Sequence, residues 1–194
     1  MPVFFALGAV LGLLVGWVGR GRLARLGDVR LRAWGLALGA LLAHRIVPLG
    51  WAPGTHPSWA DALAVCYGLA LVAFAVANLR RPGAALVGLG AAANGVATVL
   101  AGGRMPVWLS AASRLDARAY LALLHGLART HTAMIEPHGL LWLGDVLSLP
   151  APFPPTILSA GDVAIFCGVA LFIATHMWPA GPQDIAPPPL GDRA

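Results

Sequence analysis

The stretch Ala84–Ala101, AALVGLGAAANGVATVLA, followed directly by Gly102-Gly103-Arg104-Met105-Pro106, decides how the chain is read. It runs for eighteen residues without a charge. A helix that crosses a bilayer needs about 20 mostly apolar residues, with a working range of roughly 17–25. The paired glycines then end the helix and Pro106 prevents a restart. Inside the stretch stands one strong amide, Asn94, which in hydrocarbon must find a partner on a neighbouring helix. Its many small residues (Gly88, Gly90, Ala91, Ala92, Ala93, Gly95) allow such a neighbour to come close, which places this helix centrally in a bundle.

Working outward, four more stretches have the same character. The expected spans are 2–18, 33–47, 59–79, 84–101 and 157–178, within one membrane domain covering 1–178. The second is short and carries His44 and Arg45 near its end, where Arg45 either snorkels to headgroup phosphates or turns inward toward an anionic group. The composition agrees: 58% of the 194 residues are hydrophobic and 11% charged, against roughly 25% charged in a typical soluble domain. Mean hydropathy is +0.76. A soluble enzyme, a disordered tail and a nucleic-acid reader are all disfavoured. The fold class expected is an all-α polytopic bundle of five spans.

The net charge of +5 does not revive a nucleic-acid partner, because the thirteen basic residues are all arginine and flank apolar runs. They read as topology signals facing anionic headgroups. Arg20, Arg22, Arg25, Arg30 and Arg32 follow the first span, Arg80 and Arg81 follow the third, and Arg193 lies in the tail. That distribution predicts an uncleaved first span, the N-terminus outside and the C-terminus in the cytoplasm of a bacterial cell. Trp17, Trp34, Trp51, Trp59 and Trp178 fall near span ends, as interfacial anchors do. Cys66 and Cys167 sit in apolar runs and read as small buried hydrophobes, neither a disulfide nor a metal pair. No cofactor is indicated. Residues 179–194, Pro-rich and without aromatics, read as a flexible tail.

Residues 102–156 are too polar and proline-rich to span. Leu115 to Arg129 reads as a helix in the interface plane, with Leu121, Leu124 and Leu127 on one side. Pro137, Pro150, Pro152, Pro154 and Pro155 keep the rest irregular, as an outward cap or an interfacial layer.

Three Ser-x-x-Asp patterns stand just before apolar runs: Ser58/Asp61, Ser113/Asp116 and Ser159/Asp162. Each reads as a capping box, in which the two side chains satisfy N–H groups of the first turn. Gly8, Gly12 and Gly16 form a ridge of small residues on the first span, and Gly35/Gly39 repeat the spacing on the second, both suited to close helix packing. Glu136 and Asp145 are left without such a role. With His125, His131 and His138 they supply metal-ligand types, but the spacing fits no established ligand set. No GxSxG, phosphate loop or CxxC is present.

Asn94-Gly95, Arg104-Met105-Pro106-Val107, His131, Leu143-Gly144-Asp145 and Ser159-Ala160-Gly161-Asp162, in that order, resemble a family of small bacterial polytopic membrane proteins of unknown function. The resemblance covers residues 90–165 and implies a multi-pass membrane protein with no assigned activity. The site expected from the residues themselves is a cleft under the cap lined by Asn94, Arg104, His131, Glu136 and Asp145. It would hold a lipid headgroup, an isoprenoid or a partner membrane helix, with Arg104 binding the anionic group and the acids fixing Arg104 or His131; in the alternative, Asp145 and Arg104 form a purely structural pair that pins the cap down. The function expected is therefore a non-enzymatic accessory or binding protein. A small transporter and a metal-dependent membrane hydrolase are the alternatives. The oligomeric state is left open.

Overall fold

A computed structural model describes the backbone of residues 2–46, 59–149 and 155–178, with side chains in the first stretch from Ala6 to Ala43. Ser58, Trp51, the side chains of His44 and Arg45, and the tail with Arg193 lie outside the described residues. The chain is mostly helical. Its five longest helices are α1 (Pro2–Val18), α2 (Trp34–Ile46), α3 (Ala60–Ala77), α4 (Ala84–Leu100) and, after a cap that contains α5 (Leu109–Ala112) and α6 (Ala117–Leu124), α7 (Ala160–Met177). Two of them, α3 and α7, are long and apolar enough to cross a membrane. Shorter apolar helices cover Ala6–Val18, Trp34–Ala43 and Ala84–Leu100.

The five helices stand side by side in the order α1, α7, α4, α3, α2. Glycines set the spacing. Along α1, Gly8 lies against Phe166, Gly12 against Ala170 and Gly16 against Met177, so α1 and α7 run parallel. Gly90 meets Gly161 while Gly83 meets Gly168, so α4 runs against α7. Gly68 faces Gly95 and Gly88 faces Ala75, which makes α3 antiparallel to α4. At several of these points a Cβ would collide with backbone of the facing helix; at Gly12 it would meet the Ala170 carbonyl. Small residues let the axes approach where larger ones would hold them apart. Gly35 and Gly39 behave differently from their reading, since nothing in the described structure stands near either. Close packing between described helices is not their role.

α2 closes the row, with Ala40 packed on Leu71 and Ala91. It runs against α3, because Arg32 at its entry meets Asn78 at the exit of α3. The Asn78 amide is buried and takes the Arg32 N–H, while its Nδ2 donates to the carbonyls of Arg32 and Phe74. The helix directions therefore alternate along the chain: α1 up, α2 down, α3 up, α4 down, α7 up. One end of the bundle collects the arginine-bearing turns. There Arg25 Nη1 donates to the carbonyl of Met177 and Arg81 Nη2 to that of Arg30. A cation on the last carbonyls of a helix is favourable both as a hydrogen bond and toward the helix dipole.

The other end carries the cap, which is more ordered than an irregular segment. Gly102 and Gly103, both at positive φ, turn the chain out of α4. Then β1 (Met105–Trp108) pairs in parallel with β2 (His131–Met134), and β3 (Leu147–Ser148) pairs antiparallel with β4 (Ile157–Leu158). The purely α class and the helical start of the last span at residue 157 are thus corrected: α7 begins at Ala160, after a strand. The interfacial helix is also shorter than its sequence pattern. α6 stops at Leu124, and Gly126 at positive φ reverses the chain. Leu123 is the leucine it buries, with Val107 and Ala112, while Leu121, Leu124 and Leu127 are exposed.

The three capping patterns separate. Ser159/Asp162 forms the full reciprocal box. In the second, Asp116 is itself the N-cap of α6, accepting from the Ala119 N–H at 2.9 Å, and Ser113 instead donates to the Ser110 carbonyl at 2.7 Å. Four-residue spacing gave way because α5 ends at Ala112 and leaves Ser113 one turn too early. In the first, Trp59 stands at the N-cap of α3 without a side-chain cap bond, and Asp61 lies against Gly103 at the exit of α4.

Cys66 and Cys167 are free and exposed, not buried. They belong to a larger pattern: large apolar side chains stand exposed along α1 (Val10, Leu11, Leu14), α2 (Leu36, Leu38, Leu42), α3 (Leu69, Val76) and α4 (Leu89, Val96, Val99).

Candidate functional site

At the capped end two groups of buried polar side chains lie close together. The first joins α4 to α7. Asn94 Nδ2 donates to Asp162 Oδ1 at 2.8 Å, and the Ser159 hydroxyl donates to Asn94 Oδ1 at 2.7 Å. The same Ser159 oxygen accepts the Asp162 N–H at 2.9 Å as the helix cap. All three residues are buried. One amide thus ties two side chains of the capping box to the neighbouring helix. Gly161 and Gly90 make this possible, since a Cβ on Gly161 would occupy the space of the Asn94 amide oxygen. Ser159 and Asp162 had a readable role as caps; their second role needs Asn94 at the same height on an antiparallel helix, which spacing along the chain does not reveal.

The second group is assembled by the cap. The Asp145 N–H donates to the Pro106 carbonyl at 2.9 Å, and the Asp145 carbonyl accepts from the Trp108 N–H at 3.0 Å. Asp145 therefore bridges in parallel to Val107 on the free edge of β1. On the other edge His131 of β2 stands opposite Met105. Asp145 Oδ2 lies 3.6 Å from His131 Nε2, within ion-pair range but too long for a hydrogen bond. His131 Nδ1 is 2.9 Å from the Thr130 hydroxyl. The pairing of Asp145 with Arg104 expected from sequence is not made. The reason is register: the backbone bridge to Val107 directs the carboxyl to His131, while Arg104 leaves the strand before Met105.

Two buried side-chain atoms of the cap have no partner among the described residues. Asp145 Oδ1 and Arg104 Nε are both buried and accept or donate no hydrogen bond. Asp145 retains only 4% of its surface. Burial pushes its carboxyl up from the usual 3.8 to about 8, and Asp162 adds to the rise. Tyr67 of α3 lies within electrostatic reach of both acids. Tyr67 is a member of the cluster that nothing in the sequence pattern singled out.

Glu136 is not brought into this group: it is exposed, and its carbonyl faces His138 Nδ1 at 3.4 Å. His125 is also exposed. Among the described residues no three His, Cys, Asp or Glu side chains are arranged to hold a metal ion. A Trp108–Trp142 edge-to-face contact, with ring centroids 6.1 Å apart, packs the outer side of the cap.

A protein of Thermotoga maritima, described only as uncharacterized, is 30% identical over 115 residues, covering 59% of this chain and 64% of the relative. The chain thus spans less than two thirds of that relative's length. No solved structure matches. The sequence profile of a family of unknown function (DUF5317) matches residues 29–174, which takes in α2 through most of α7 together with both polar groups. The chain belongs to that family.

Proposed function

We propose that the protein is a multi-pass membrane protein of five spans which binds a ligand beneath its outward cap and performs no covalent chemistry there. The observation that carries this reading is the placement of buried polarity. The sides of the bundle are apolar and exposed, whereas the buried polar side chains Asn94 of α4, Ser159 and Asp162 at the start of α7 and Asp145 on the edge of β1 gather at one end. Exposed apolar patches of this extent are unusual on a soluble monomer, where the largest covers roughly 300–600 Å². Lipid tails would cover them at no cost. Alternating helix direction suits five crossings, with the arginine-bearing turns in the cytoplasm and the cap outside. A lipid headgroup, an isoprenoid or a partner helix would enter from the membrane under the cap.

Cysteine labelling tests the topology. The two native thiols are exposed, so the background carries Cys66→Ala and Cys167→Ala. Cysteines at Arg22 and Arg80 should label only from the cytoplasm, and one at Glu136 only from outside. Labelling of Glu136 and Arg22 from the same side would defeat the topology. Binding is tested by mass spectrometry of lipid retained after purification in mild detergent. Retention that is lost on replacing Arg104 supports the site; no retained lipid and no bound partner would defeat it.

A further inference from the structure

Resting on the membrane reading, we propose that the 3₁₀ turn Gly139–Leu143 dips into the bilayer, seating Leu140 and Trp142 among the lipids of the leaflet at the capped end, beside α4. The turn reads Gly-Leu-Leu-Trp-Leu, and none of its residues is buried in the protein. Leu140 keeps 59% of its surface and Trp142 53%. In water, a run of consecutive large apolar side chains left uncovered is a liability. The residues leading into the turn are of another kind, since Glu136 and His138 are polar and exposed. Beyond it, Gly144 lies against Pro106 and Asp145 bridges to Val107 of β1. The apolar run is thus held in place at its far end by the strands of the cap.

What covers the turn follows from its neighbour. It packs against α4, and the last turns of that helix leave Val96, Val99 and Leu100 exposed as well. Lipid that covers those side chains on α4 lies next to the turn packed on the same helix. The depth also fits. Here Gly102 and Gly103 turn the chain out of α4, and at the end of a span a tryptophan ring suits the boundary between acyl chains and headgroups. Trp108 meets Trp142 edge to face, with ring centroids 6.1 Å apart, and fixes its ring. Irregular backbone at this level needs partners for its own polar groups. The turn supplies some of them: the Leu141 N–H donates to the His138 carbonyl and the Gly144 N–H to the Leu141 carbonyl, both at 3.0 Å. Seated in this way, the margin of the cap beside α4 meets lipid, and a ligand that passes under it comes from the bilayer rather than from water.

The experiment uses the full chain in phosphatidylcholine nanodiscs, with Cys66→Ala and Cys167→Ala as background and a small fluorophore on one added cysteine. Leu140→Cys and, separately, Trp142→Cys read the turn. Val96→Cys reads the side of α4, and Glu136→Cys the polar approach to the turn. All four side chains are exposed, so each label replaces a group that the fold does not enclose. Both turn labels should lose fluorescence to nitroxide-bearing phosphatidylcholine, as the Val96 label does, and should resist aqueous iodide. The Glu136 label should show the reverse. Either turn label behaving like that at Glu136 in a folded variant, with Val96 still quenched by lipid, overturns the proposal and leaves the membrane reading standing. Turn labels shielded from both quenchers also overturn it, because a second copy or another protein then covers the turn. If iodide reaches the Val96 label and lipid does not, the membrane reading fails together with the proposal. Should one turn variant not fold, the other decides.

Discussion

The two polar groups at the capped end lie close together, yet differ in how they are satisfied. Around Asn94 the donors and acceptors meet within the protein: amide to carboxylate, hydroxyl to amide, backbone N–H to hydroxyl. In the cap they do not, and among the described residues one oxygen of Asp145 and one guanidinium nitrogen of Arg104 are left over. Buried polar atoms are hydrogen-bonded in the great majority of cases, so each exception asks for a reason. A closed network explains itself as structure, holding α4 to α7. An open one of opposite character, with a cation and a protonatable acid, explains itself best by something that enters.

The largest effect expected from this contrast follows removal of Asn94. Asn94→Ala leaves the Asp162 carboxylate and the Ser159 hydroxyl without their partner on α4. Leaving a buried donor or acceptor unsatisfied costs on the order of 1–3 kcal/mol per group, more where the group is charged. Thermal unfolding in detergent should show a large drop in Tm. Arg104→Gln, which removes a group whose Nε has no partner among the described residues, should change Tm little by comparison. Equal losses in the two variants would erase the distinction between the groups.

A smaller effect sharpens a second contrast, between the glycines of α1 and those of α2. Gly12→Val drives a branched side chain into the Ala170 carbonyl and the Ile173 side chain. Overpacking of this kind costs about 1–3 kcal/mol. Gly39→Val meets nothing in the described structure and should leave Tm nearly unchanged. If Gly39→Val is as costly, α2 is packed against something outside the described residues, and gel filtration of the variant would show whether that is a second copy of the chain.

These contrasts were unevenly legible in the sequence. Runs of apolar residues bounded by glycine or arginine mark α1, α3 and α4 to within one or two residues, because helix length in hydrocarbon is a local property. The Gly8/Gly12/Gly16 ridge was readable for the same reason, although its copy at Gly35/Gly39 shows that spacing alone does not name a partner. Cys66 and Cys167 misled because an apolar run does not say which face turns outward, and here the apolar face is the exposed one. The cap was read as irregular because its strands are two to four residues long and pair with segments far along the chain. No period-two pattern can emerge from so short a strand. That non-local pairing also decides the site: only the bridge between Val107 and Asp145 shows that the acid faces His131 rather than Arg104.

The last expected effect is a stability difference that vanishes on the acid side. In the folded protein the Asp145 carboxyl titrates near pH 8, against 3.8 when exposed. The folded state therefore binds more protons than the unfolded one between those values, and stability falls as pH rises across them. The loss is complete once pH exceeds the folded value. Asp145→Asn keeps the shape of the protonated side chain and cannot ionise. Near pH 4 and below, where the carboxyl is largely protonated in the unfolded chain as well, the variant should melt within about 1 °C of the wild type, since a neutral isosteric change away from a closed network costs well under ~0.5 kcal/mol. Near pH 9 the wild type should melt lower than the variant, because an unpartnered buried charge is then forced on it. A wild-type curve parallel to that of Asp145→Asn across this range would mean that the carboxyl is solvated after all. It would then join neither the open group nor the closed one.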